Sequence, residues 1–400
     1  MYLRSLLLAS AMGCGLLMSN SVLAEESNTN NTSNNTNSGL TFSDILKNSE
    51  IDVKGYFDVS YIGSNKTPDP SIQVFNQNQN SFSLHQFGLI VSKLPKEGFG
   101  ALLNITAGKD AQTISSYGAS SQSVDITQGY IQYAKSRYTV IGGKFGTLAG
   151  AEVIDSSADT NITRSILFGK IPFTHTGVRL TTALSDMTNI IVGINNGWDQ
   201  VTDTNSQKTA ELGITTAFTQ DTSLTVSAYS GVENTFPNAG YTYNTPIAIP
   251  GVLNTTNVIP GGTRNLLDAV FATNITHSLS FILNGDYVSQ QNVPGVKGNA
   301  TYSGVAGYLN YQFNNTYRIS FRAEDVRDNS GWATDPYSGA YIGGVAPGPN
   351  NVREATLTFG YAPVKNTELR LEGRYDHSDL PVYNNSNNMT TFGIQGIYKF

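Results

Sequence analysis

Charged side chains are spaced two or four residues apart in two segments near the end of the chain. They are Arg318, Arg322 and Glu324 in one segment, and Glu368, Arg370, Glu372, Arg374 and Asp376 in the other. Side chains two residues apart point to the same side of a β-strand, so this spacing gathers charge on one face of each strand. Such rows act on ions through their charge and need neither a nucleophile nor a cofactor. The chemistry to expect is ion recognition along a surface.

Covalent catalysis has weaker support in the sequence. It would need a nucleophile or an activated water beside a base, and the chain has four histidines, His85, His175, His277 and His377. The run Asp376-His377-Ser378 has suitable residue types, but neighbours on a strand point to opposite faces and cannot converge as a triad does. His85 and His277 fall near a predicted strand start and in a predicted turn, so both are expected to be solvated or interfacial. We therefore predict that the chain is not an enzyme.

Cofactor sites are also weakly indicated. Asp155 and Asp159 lie in an oxygen-rich segment that could hold Ca²⁺, but their spacing matches no established calcium loop. No Gly-rich phosphate cradle follows a strand and opens a helix. The net charge of −6 offers no basic surface for a phosphate backbone. We expect no metal, no other cofactor and no nucleic-acid partner.

The first 24 residues have the features of a cleaved export signal. Arg4 supplies the positive charge, residues 6–17 are apolar, and small residues precede Glu25. A lipoprotein signal ending at Cys14 is the alternative, but the apolar stretch continues past that cysteine. Since Cys14 is the single cysteine of the chain, the mature protein is predicted to contain no thiol and no disulfide.

Residues 25–50 are predicted to form a flexible leader. Residues 25–40 are rich in Asn, Thr and Ser and bury too little apolar surface to offset their ordering entropy. Residues 41–44 resemble a capping box, so a short helix over 41–50 is as well supported as a coil. The domain prediction is a signal peptide at 1–24, the leader at 25–50 and one β-barrel at 51–400.

An alternation of period two begins at residue 51 and recurs along the chain. Ile51, Val53, Phe57, Val59 and Tyr61 share one face of the first segment, and Asp52, Lys54, Asp58 and Ser60 share the other. Hydrophobic residues make up 39% and charged residues 14%, with 21 Tyr and 18 Phe, a composition typical of strands. No apolar stretch after residue 25 is long enough for a spanning helix, so crossing a membrane would require a closed barrel.

Short breaks alternate with long polar segments between the predicted strands. The long segments lie near 62–80, 110–122, 148–173, 231–262 and 328–351. This pattern is typical of outer-membrane barrels, which have short periplasmic turns and long external loops. The prediction is an all-β, transmembrane, antiparallel up-and-down barrel of about sixteen strands, with fourteen to eighteen allowed because segments 124–134 and 138–145 are mixed on both faces.

A soluble β-sandwich would also alternate, with its charged face in bulk water. The last strand favours the barrel instead. Phe392, Ile394, Gly396, Tyr398 and Phe400 alternate to the final residue. In a barrel this strand would close against the first, and Phe400 would lie in the interfacial aromatic girdle.

Several short motifs resemble one known family. Residues 175–179 (HTGVR), 193–199 (GINNGWD), 369–376 (LRLEGRYD) and the ending Tyr398-Lys399-Phe400 are similar to those of OmpL-like β-barrel porins of Gram-negative outer membranes. The resemblance covers most of the mature chain and implies a barrel with pore activity. It also implies that Tyr398 and Phe400 belong to the signal read by the barrel assembly machinery.

The layout also resembles sixteen-stranded general porins, in which the third external loop folds inward and narrows the lumen. The third long segment here, 148–173, would then supply constriction residues, although it lacks the Pro-Glu-Phe-Gly-Gly motif of those porins and an ordinary surface loop is the alternative. The constriction candidates are Glu152, Asp155, Asp159, Arg164 and Lys170. The same analogy suggests a homotrimer.

Acids outnumber bases on the predicted inward face. The acids are Asp52, Asp58, Glu211, Asp268, Asp286, Glu324, Glu354, Glu372 and Asp376, and the bases are Lys54, Arg179, Arg318, Arg322, Arg370 and Arg374. We predict a weakly cation-preferring pore in which the arginines face loop acids across the passage, although any one pair could simply be a salt bridge within the wall.

The pore would pass small hydrophilic solutes and ions and would contact outer-membrane lipid and lipopolysaccharide. The alternative is a surface adhesin or structural barrel with a plugged lumen.

Overall fold

The computed structural model describes residues 46, 48–66, 72–76, 79–116, 123–203, 205–233, 262–293, 295–334 and 347–400. The predicted signal peptide and nearly all of the predicted leader lie outside these residues. Of the helix expected over 41–50, the described residues Leu46, Asn48 and Ser49 are helical. Within the described residues, no helix is long and apolar enough to cross a bilayer.

The described residues form sixteen antiparallel strands in chain order. The strands are β1 (Asp52–Ser64), β2 (Ser81–Lys93), β3 (Gly98–Ala107), β4 (Val124–Lys135), β5 (Tyr138–Gly146), β6 (Thr174–Ala183), β7 (Thr188–Asn195), β8 (Thr209–Ala217), β9 (Thr222–Glu233), β10 (Gly262–Asn274), β11 (Leu279–Gln290), β12 (Ala300–Gln312), β13 (Tyr317–Asp328), β14 (Asn350–Tyr361), β15 (Thr367–Ser378) and β16 (Asn388–Lys399). A short helix, α1 (Lys109–Ile114), follows β3, and a 3₁₀ turn covers Leu167–Lys170.

Each strand pairs with its sequence neighbours, and β1 pairs with β16 to close the barrel. Phe57 lies opposite Tyr398, and Tyr61 lies opposite Ile394, as expected if the last strand closes against the first. Closure satisfies the backbone groups that an open sheet would leave unpaired in lipid. The predicted sixteen-stranded barrel is confirmed, including the strands at 124–134 and 138–145 whose pattern was mixed.

The connections differ in length at the two ends of the barrel. At one end the strands are joined by short turns, at 94–97, 136–137, 184–187, 218–221, 275–278, 313–316 and 362–366. At the other end most connections are long, at 65–80, 108–123, 147–173, 196–208, 234–261, 291–299, 329–349 and 379–387. By the rule for outer-membrane barrels, the short-turn end is periplasmic and the long-loop end is external.

The two faces of the wall differ as the alternation predicts. On β1, Phe57 and Val59 are 42% and 47% exposed on the outside, whereas Asp58 between them is 2% exposed in the interior. Aromatic side chains form an exposed belt near the short-turn end, at Phe99, Phe218, Phe313 and Tyr317. This belt is typical of a barrel surface at the membrane interface.

Candidate functional site in the barrel interior

The loop between β5 and β6, residues 147–173, folds into the barrel interior and is called the inner loop here. Its Gly150 amide donates a hydrogen bond to Asp268 of β10 at 3.1 Å. Its Ser156 amide donates to the side chain of Gln86 of β2 at 3.1 Å. The inner loop therefore crosses the interior to strands far from its own ends, unlike an ordinary surface loop.

Charged residues on β13, β14 and β15 stand in rows across the wall. Glu324, Glu354 and Asp376 are paired in register on the three strands. Arg322 and Arg374 occupy the next row toward the short turns. All five side chains are buried in the interior. We call the inward residues of these three strands the charged wall.

Most arginines of the charged wall pair with acids of the same wall. The pairs join Arg322 to Glu354, Arg374 to Asp376, and both Arg318 and Arg370 to Glu368, at N–O distances of 2.6–2.7 Å. Buried charges need such partners because burial removes their hydration. Among the described residues, Arg322 is the wall arginine that reaches an acid of the inner loop, Glu152, at 2.7 Å. The arginines were predicted to face acids of the inner loop across the passage, and one such ion pair, Arg322 with Glu152, is present in the part of the chain that the structure describes.

Acids of the charged wall hold the backbone of the inner loop. The amides of Ile162 and Thr163 donate to Glu372 at 2.6 and 2.9 Å, and those of Ile166 and Leu167 donate to Glu324 at 2.5 and 3.2 Å. From the other direction, Arg374 donates to the carbonyl of Arg164. A buried amide without a partner costs about 1–3 kcal/mol, so these carboxylates fix the path of the inner loop.

Asp155, Asp159 and Arg164 of the inner loop have partners within the loop itself. Asp159 pairs with Arg164 at 3.0 Å, and Asp155 accepts from the Ser157 amide at 2.8 Å. Burial raises the pKa of the Asp159 carboxyl, and the nearby Arg164 opposes that rise. Burial by itself would lower the pKa of Arg164, but Asp159 and Glu152 hold it above its usual value. Asp159 and Arg164 therefore enter the interior as a neutralised pair, whereas Asp155 has a hydrogen bond but no ion-pair partner among the described residues.

Lys170 lies at the far end of the inner loop and is buried. Its Nζ donates to the carbonyl of Ala333 in the loop between β13 and β14, and Tyr302 of β12 donates to the Lys170 carbonyl. These bonds tie the end of the inner loop to the external end of the barrel. Among the predicted constriction residues, Lys170 thus has a bridging position between two loops.

Asp199 fixes the junction where the inner loop enters β6. Its Oδ1 accepts from the amides of Phe173 and Thr174, both at 2.9 Å. Burial raises the pKa of the Asp199 carboxyl to about 7. The residue belongs to the GINNGWD segment, so sequence reasoning noticed the motif but gave this aspartate no role.

Another buried ion pair joins β6 and β8, away from the charged wall. Arg179 of β6 donates to both carboxylate oxygens of Glu211 of β8, at 2.8 and 2.6 Å, and stacks over Phe145 at 4.2 Å. Tyr229 of β9 donates to Glu211 at 2.7 Å and accepts from the Leu148 amide at 2.9 Å. Arg179, predicted as pore-lining, thus helps to fix the start of the inner loop. The sequence analysis assigned no role to Tyr229 or Phe145, although both lie at inward positions of their strands.

His85 has a different environment from the solvated or interfacial one expected. It is 3% exposed, and its Nδ1 lies 3.1 Å from Asp110 of α1. Neighbouring Gln86 donates to the same carboxylate at 2.8 Å. The prediction failed because β2 shifts register opposite Asp58, which turns His85 into the interior.

The three residues of the suggestive Asp-His-Ser run do not converge. Asp376 and Ser378 are buried inside the barrel, whereas His377 is outside, with its Nδ1 2.7 Å from Asn388. Strand geometry therefore separates them as the sequence argument required. In the part of the chain that the structure describes, no group of three or more His, Cys, Asp and Glu side chains is placed to hold a metal ion.

The interior is unevenly covered. The inner loop buries the charged wall. Inward-facing residues on β2, β3, β5 and β6 have intermediate exposure instead. These residues are Ile90, Leu102, Asn104, Ile141 and Thr181. Inward positions on other strands, such as Thr225 of β9 and Ile282 of β11, are also of intermediate exposure, so the partly accessible interior includes β2–β6 but is not confined to them.

The closed sixteen-stranded barrel is the architecture that the resemblance to OmpL-like porins implies. Residues 50–400 match the family model described as "Putative beta-barrel porin-2, OmpL-like". The chain belongs to this family. The predicted membership in an OmpL-like family is confirmed, and no curated protein is similar enough in sequence to match the chain.

Solved outer-membrane proteins share the fold of this OmpL-like chain. The channel DcaP of Acinetobacter baumannii is 16% identical, with a TM-score of 0.55 over 88% of this chain and 97% of DcaP. OprB of Pseudomonas putida, in a high-pH structure, is 12% identical, with a TM-score of 0.61 over 90% and 96%. The trimer form of OmpT of Vibrio cholerae is 11% identical, with a TM-score of 0.55 over 88% and 99%. At these identities the likeness establishes the barrel fold.

The terminal aromatic residues of this OmpL-like barrel lie outside, beside the first strands. The Phe400 ring packs against Phe57 and Phe87, with centroid distances of 6.0 and 6.5 Å, and against Tyr398 at 6.5 Å. Its backbone exchanges two hydrogen bonds with Gly55, at 3.0 and 2.9 Å. Phe400 thus completes the seam between β16 and β1, while its role with Tyr398 as an assembly signal stays a prediction.

Proposed function

We propose that this protein is an outer-membrane porin through which small hydrophilic solutes and ions diffuse passively, with a weak preference for cations. The observation that carries the proposal is the inner loop. It occupies part of the lumen, it is fixed to the charged wall, and it leaves the inward face of β2–β6 partly exposed. A fixed constriction beside a partly exposed wall is the arrangement by which a pore selects solutes by size.

The cation preference rests on the charge of the interior. The acids predicted to face inward are on inward positions of the strands, and acids still outnumber bases when Asp125, Glu233, Glu368, Lys144 and Arg264 are added. Most wall arginines are neutralised by neighbouring carboxylates, so the excess negative charge is what a passing ion would experience. Within a low-dielectric wall this excess attracts cations.

An outer-membrane porin must be exported, inserted and assembled, and we propose a step for each. Export would use residues 1–24 as a cleaved signal, and Tyr398 and Phe400 would direct insertion by the barrel assembly machinery. OmpT of Vibrio cholerae, which shares the fold, has a trimer form, so a homotrimer is the assembly that we propose to test first. Passive diffusion through a pore involves no covalent step, so we propose no catalytic role.

The decisive experiment is single-channel recording of purified, refolded protein in a planar bilayer, followed by reversal potentials in a salt gradient. We expect discrete conductance steps and a reversal potential of the sign for modest cation selectivity. Asp155→Asn in the inner loop should move the reversal potential toward zero because it removes a lumen carboxylate. Asp203→Asn is the matched control, since Asp203 pairs with Lys208 in the external loop 196–208.

Each outcome of these recordings decides a separate part of the proposal. Silence from protein that is shown to be folded and inserted would overturn the diffusion channel. Steps with anion selectivity would keep the pore and overturn the cation preference. Crosslinking in native membranes would test the trimer independently of conductance.

A closed barrel with binding loops is the second candidate, favoured by an aromatic cluster at the external end. Trp198 and Trp332, from two external loops, are both buried, and Arg264 of β10 lies between them, 4.7 and 5.3 Å from their rings. The cluster covers part of the mouth. A silent but folded barrel would move the assignment to this second candidate.

A further inference from the structure

A patch of polar residues faces outward near the external ends of β13–β16. Asp325, Arg353, His377 and Asn388 lie in one row in register across the four strands. Arg327 stands one row closer to the external loops. We call these five residues the outer polar patch.

The height of the outer polar patch places it at the edge of the membrane. Below it, toward the short turns, the outward rows are apolar, running on β13 through Ala323, Phe321 and Ile319 to Tyr317 of the aromatic belt. With about 3.3 Å per residue and a tilt of about 40°, the step from Tyr317 to Asp325 rises about 20 Å. The apolar band of an outer-membrane barrel is about 25 Å tall. By the same estimate Arg327, two residues further along β13, lies about 25 Å above Tyr317, so the patch spans the external edge of the apolar band, where the lipid head groups begin.

Two arginines of the patch are held in place by one carboxylate. Arg353 Nε and Arg327 Nε donate to the two oxygens of Asp325, at 2.8 and 3.1 Å. Their side chains are 51% and 75% exposed. Within the described residues both arginines bond Asp325 through Nε, so their Nη groups can bind a further anion. A guanidinium fixed on one edge is preorganised to bind phosphate through the other.

We propose that the outer polar patch binds the phosphate groups of lipopolysaccharide, the phosphorylated glycolipid of the external leaflet. Three features of the surface fit this occupant. The two exposed arginines share one carboxylate, Asp325, and so leave a net positive charge to match the negative charge of lipopolysaccharide. Beside them His377 and Asn388, which bond to each other, add polar groups at the level of its sugars, and the exposed apolar rows beneath give its acyl chains a surface to pack on. The proposal rests on the outer-membrane location and is independent of whether the barrel conducts.

The test uses the full barrel in mild detergent with bisphosphorylated lipid A as the probe. Native mass spectrometry counts the lipid A molecules retained, and the same titration is run with chemically dephosphorylated lipid A. We expect the wild type to retain the phosphorylated form at least about five-fold better. Arg327→Gln/Arg353→Gln should lose that preference, because two Gln side chains keep hydrogen bonding but not charge.

The matched control is Arg137→Gln, which removes an exposed arginine from the short turn 136–137 at the opposite rim. It should retain lipid A like the wild type. If the double variant does not fold, Arg327→Gln alone serves, since its side chain is largely exposed and its loss should weaken retention about two-fold or more. Equal retention by the wild type and the folded variants would overturn the proposal, as would equal retention of dephosphorylated lipid A.

Discussion

Glu152 of the inner loop and Arg322 of β13 are joined by a buried ion pair of 2.7 Å, although 170 residues separate them in sequence. Arg322 also donates to the Thr163 carbonyl at 2.6 Å, and its Nε binds Glu354. One guanidinium thus joins two parts of the inner loop to two strands of the wall. A fork with five donors can make such a junction, which a lysine could not.

Glu152→Gln should loosen the inner loop and change the pore current. The substitution removes the loop charge but leaves Arg322 paired with Glu354, so the cost should be below the roughly 3–5 kcal/mol that leaving a buried charge without any partner would incur. We expect a lower melting temperature and larger noise in the open-channel current. Single-channel recording and thermal melting in detergent measure the two effects.

Asp203→Asn is the control for that comparison, because the Asp203–Lys208 pair lies in an external loop with Lys208 46% exposed. Exposed pairs contribute about 0–1 kcal/mol, so its melting and noise should match the wild type. Unchanged noise in a folded Glu152→Gln variant would contradict an anchoring role for the Glu152–Arg322 pair.

Tyr229→Phe should destabilise the start of the inner loop. The phenol donates to Glu211 and accepts from the amide of Leu148, so removing it leaves one buried amide without its partner. We expect a loss of about 1–3 kcal/mol, visible as a lower melting temperature. Tyr375→Phe is the matched control because its hydroxyl binds Asn388 on the exposed outer surface. Equal melting of the two variants would show that the Tyr229 hydroxyl is not needed.

The barrel was predictable from the sequence because its period is local. The pair Phe57 and Asp58 already shows which residue faces lipid and which faces the interior, and repetition of that pattern gives the strand count. The lengths of the connections distinguish the periplasmic end from the external end, since the turn 136–137 has two residues and the next connection, 147–173, is much longer. These features depend on neighbours in sequence.

The candidate site was less predictable because its contacts are not local. Charge at Arg322 and Glu372 pointed to the correct wall, but no pattern shows that Glu372 accepts from Ile162 and Thr163, over 200 positions away in sequence. His85 shows a second limit. A register shift of one residue on β2 reverses the side to which its side chain points, and the sequence carries no mark of that shift.

Asp199 should make the stability of the protein pH-dependent. Burial raises the pKa of its carboxyl from 3.8 to about 7, so the folded state binds the proton more tightly than the unfolded state. The resulting stability is fully present below about pH 4 and is lost as the pH rises through about 7. The slope is at most about 1.4 kcal/mol per pH unit in that window.

Melting temperatures from pH 4 to pH 9 measure this effect. The wild type should lose stability between pH 4 and pH 7, whereas Asp199→Asn should show a flatter profile because its amide oxygen can accept the same two bonds without titrating. Parallel profiles for the two proteins would assign the pH dependence to other groups.

Gly55→Ala should disturb the seam between β1 and β16. A Cβ at position 55 would lie 2.2 Å from Cζ of Phe400 and 2.9 Å from the carbonyl oxygen of Gly88, so the ring would have to move. Overpacking of this kind costs about 1–3 kcal/mol. We expect a lower folded fraction in the outer membrane, measured by heat-modifiable electrophoretic mobility. Gly373→Ala on β15 is the control, because nothing lies within 4 Å of its added Cβ.

Phe400→Ala separates the ring from the backbone of the seam. It keeps both hydrogen bonds between residues 55 and 400 and removes the ring that the new methyl group would meet. In the Phe400→Ala background, Gly55→Ala should lower the free energy of unfolding by about 1–2 kcal/mol less than it does in the wild type. The cost that is left would come from the contact with the Gly88 carbonyl. If the costs simply add across the four proteins, the Phe400 ring is not what requires glycine at position 55, and the Gly88 carbonyl becomes the cause.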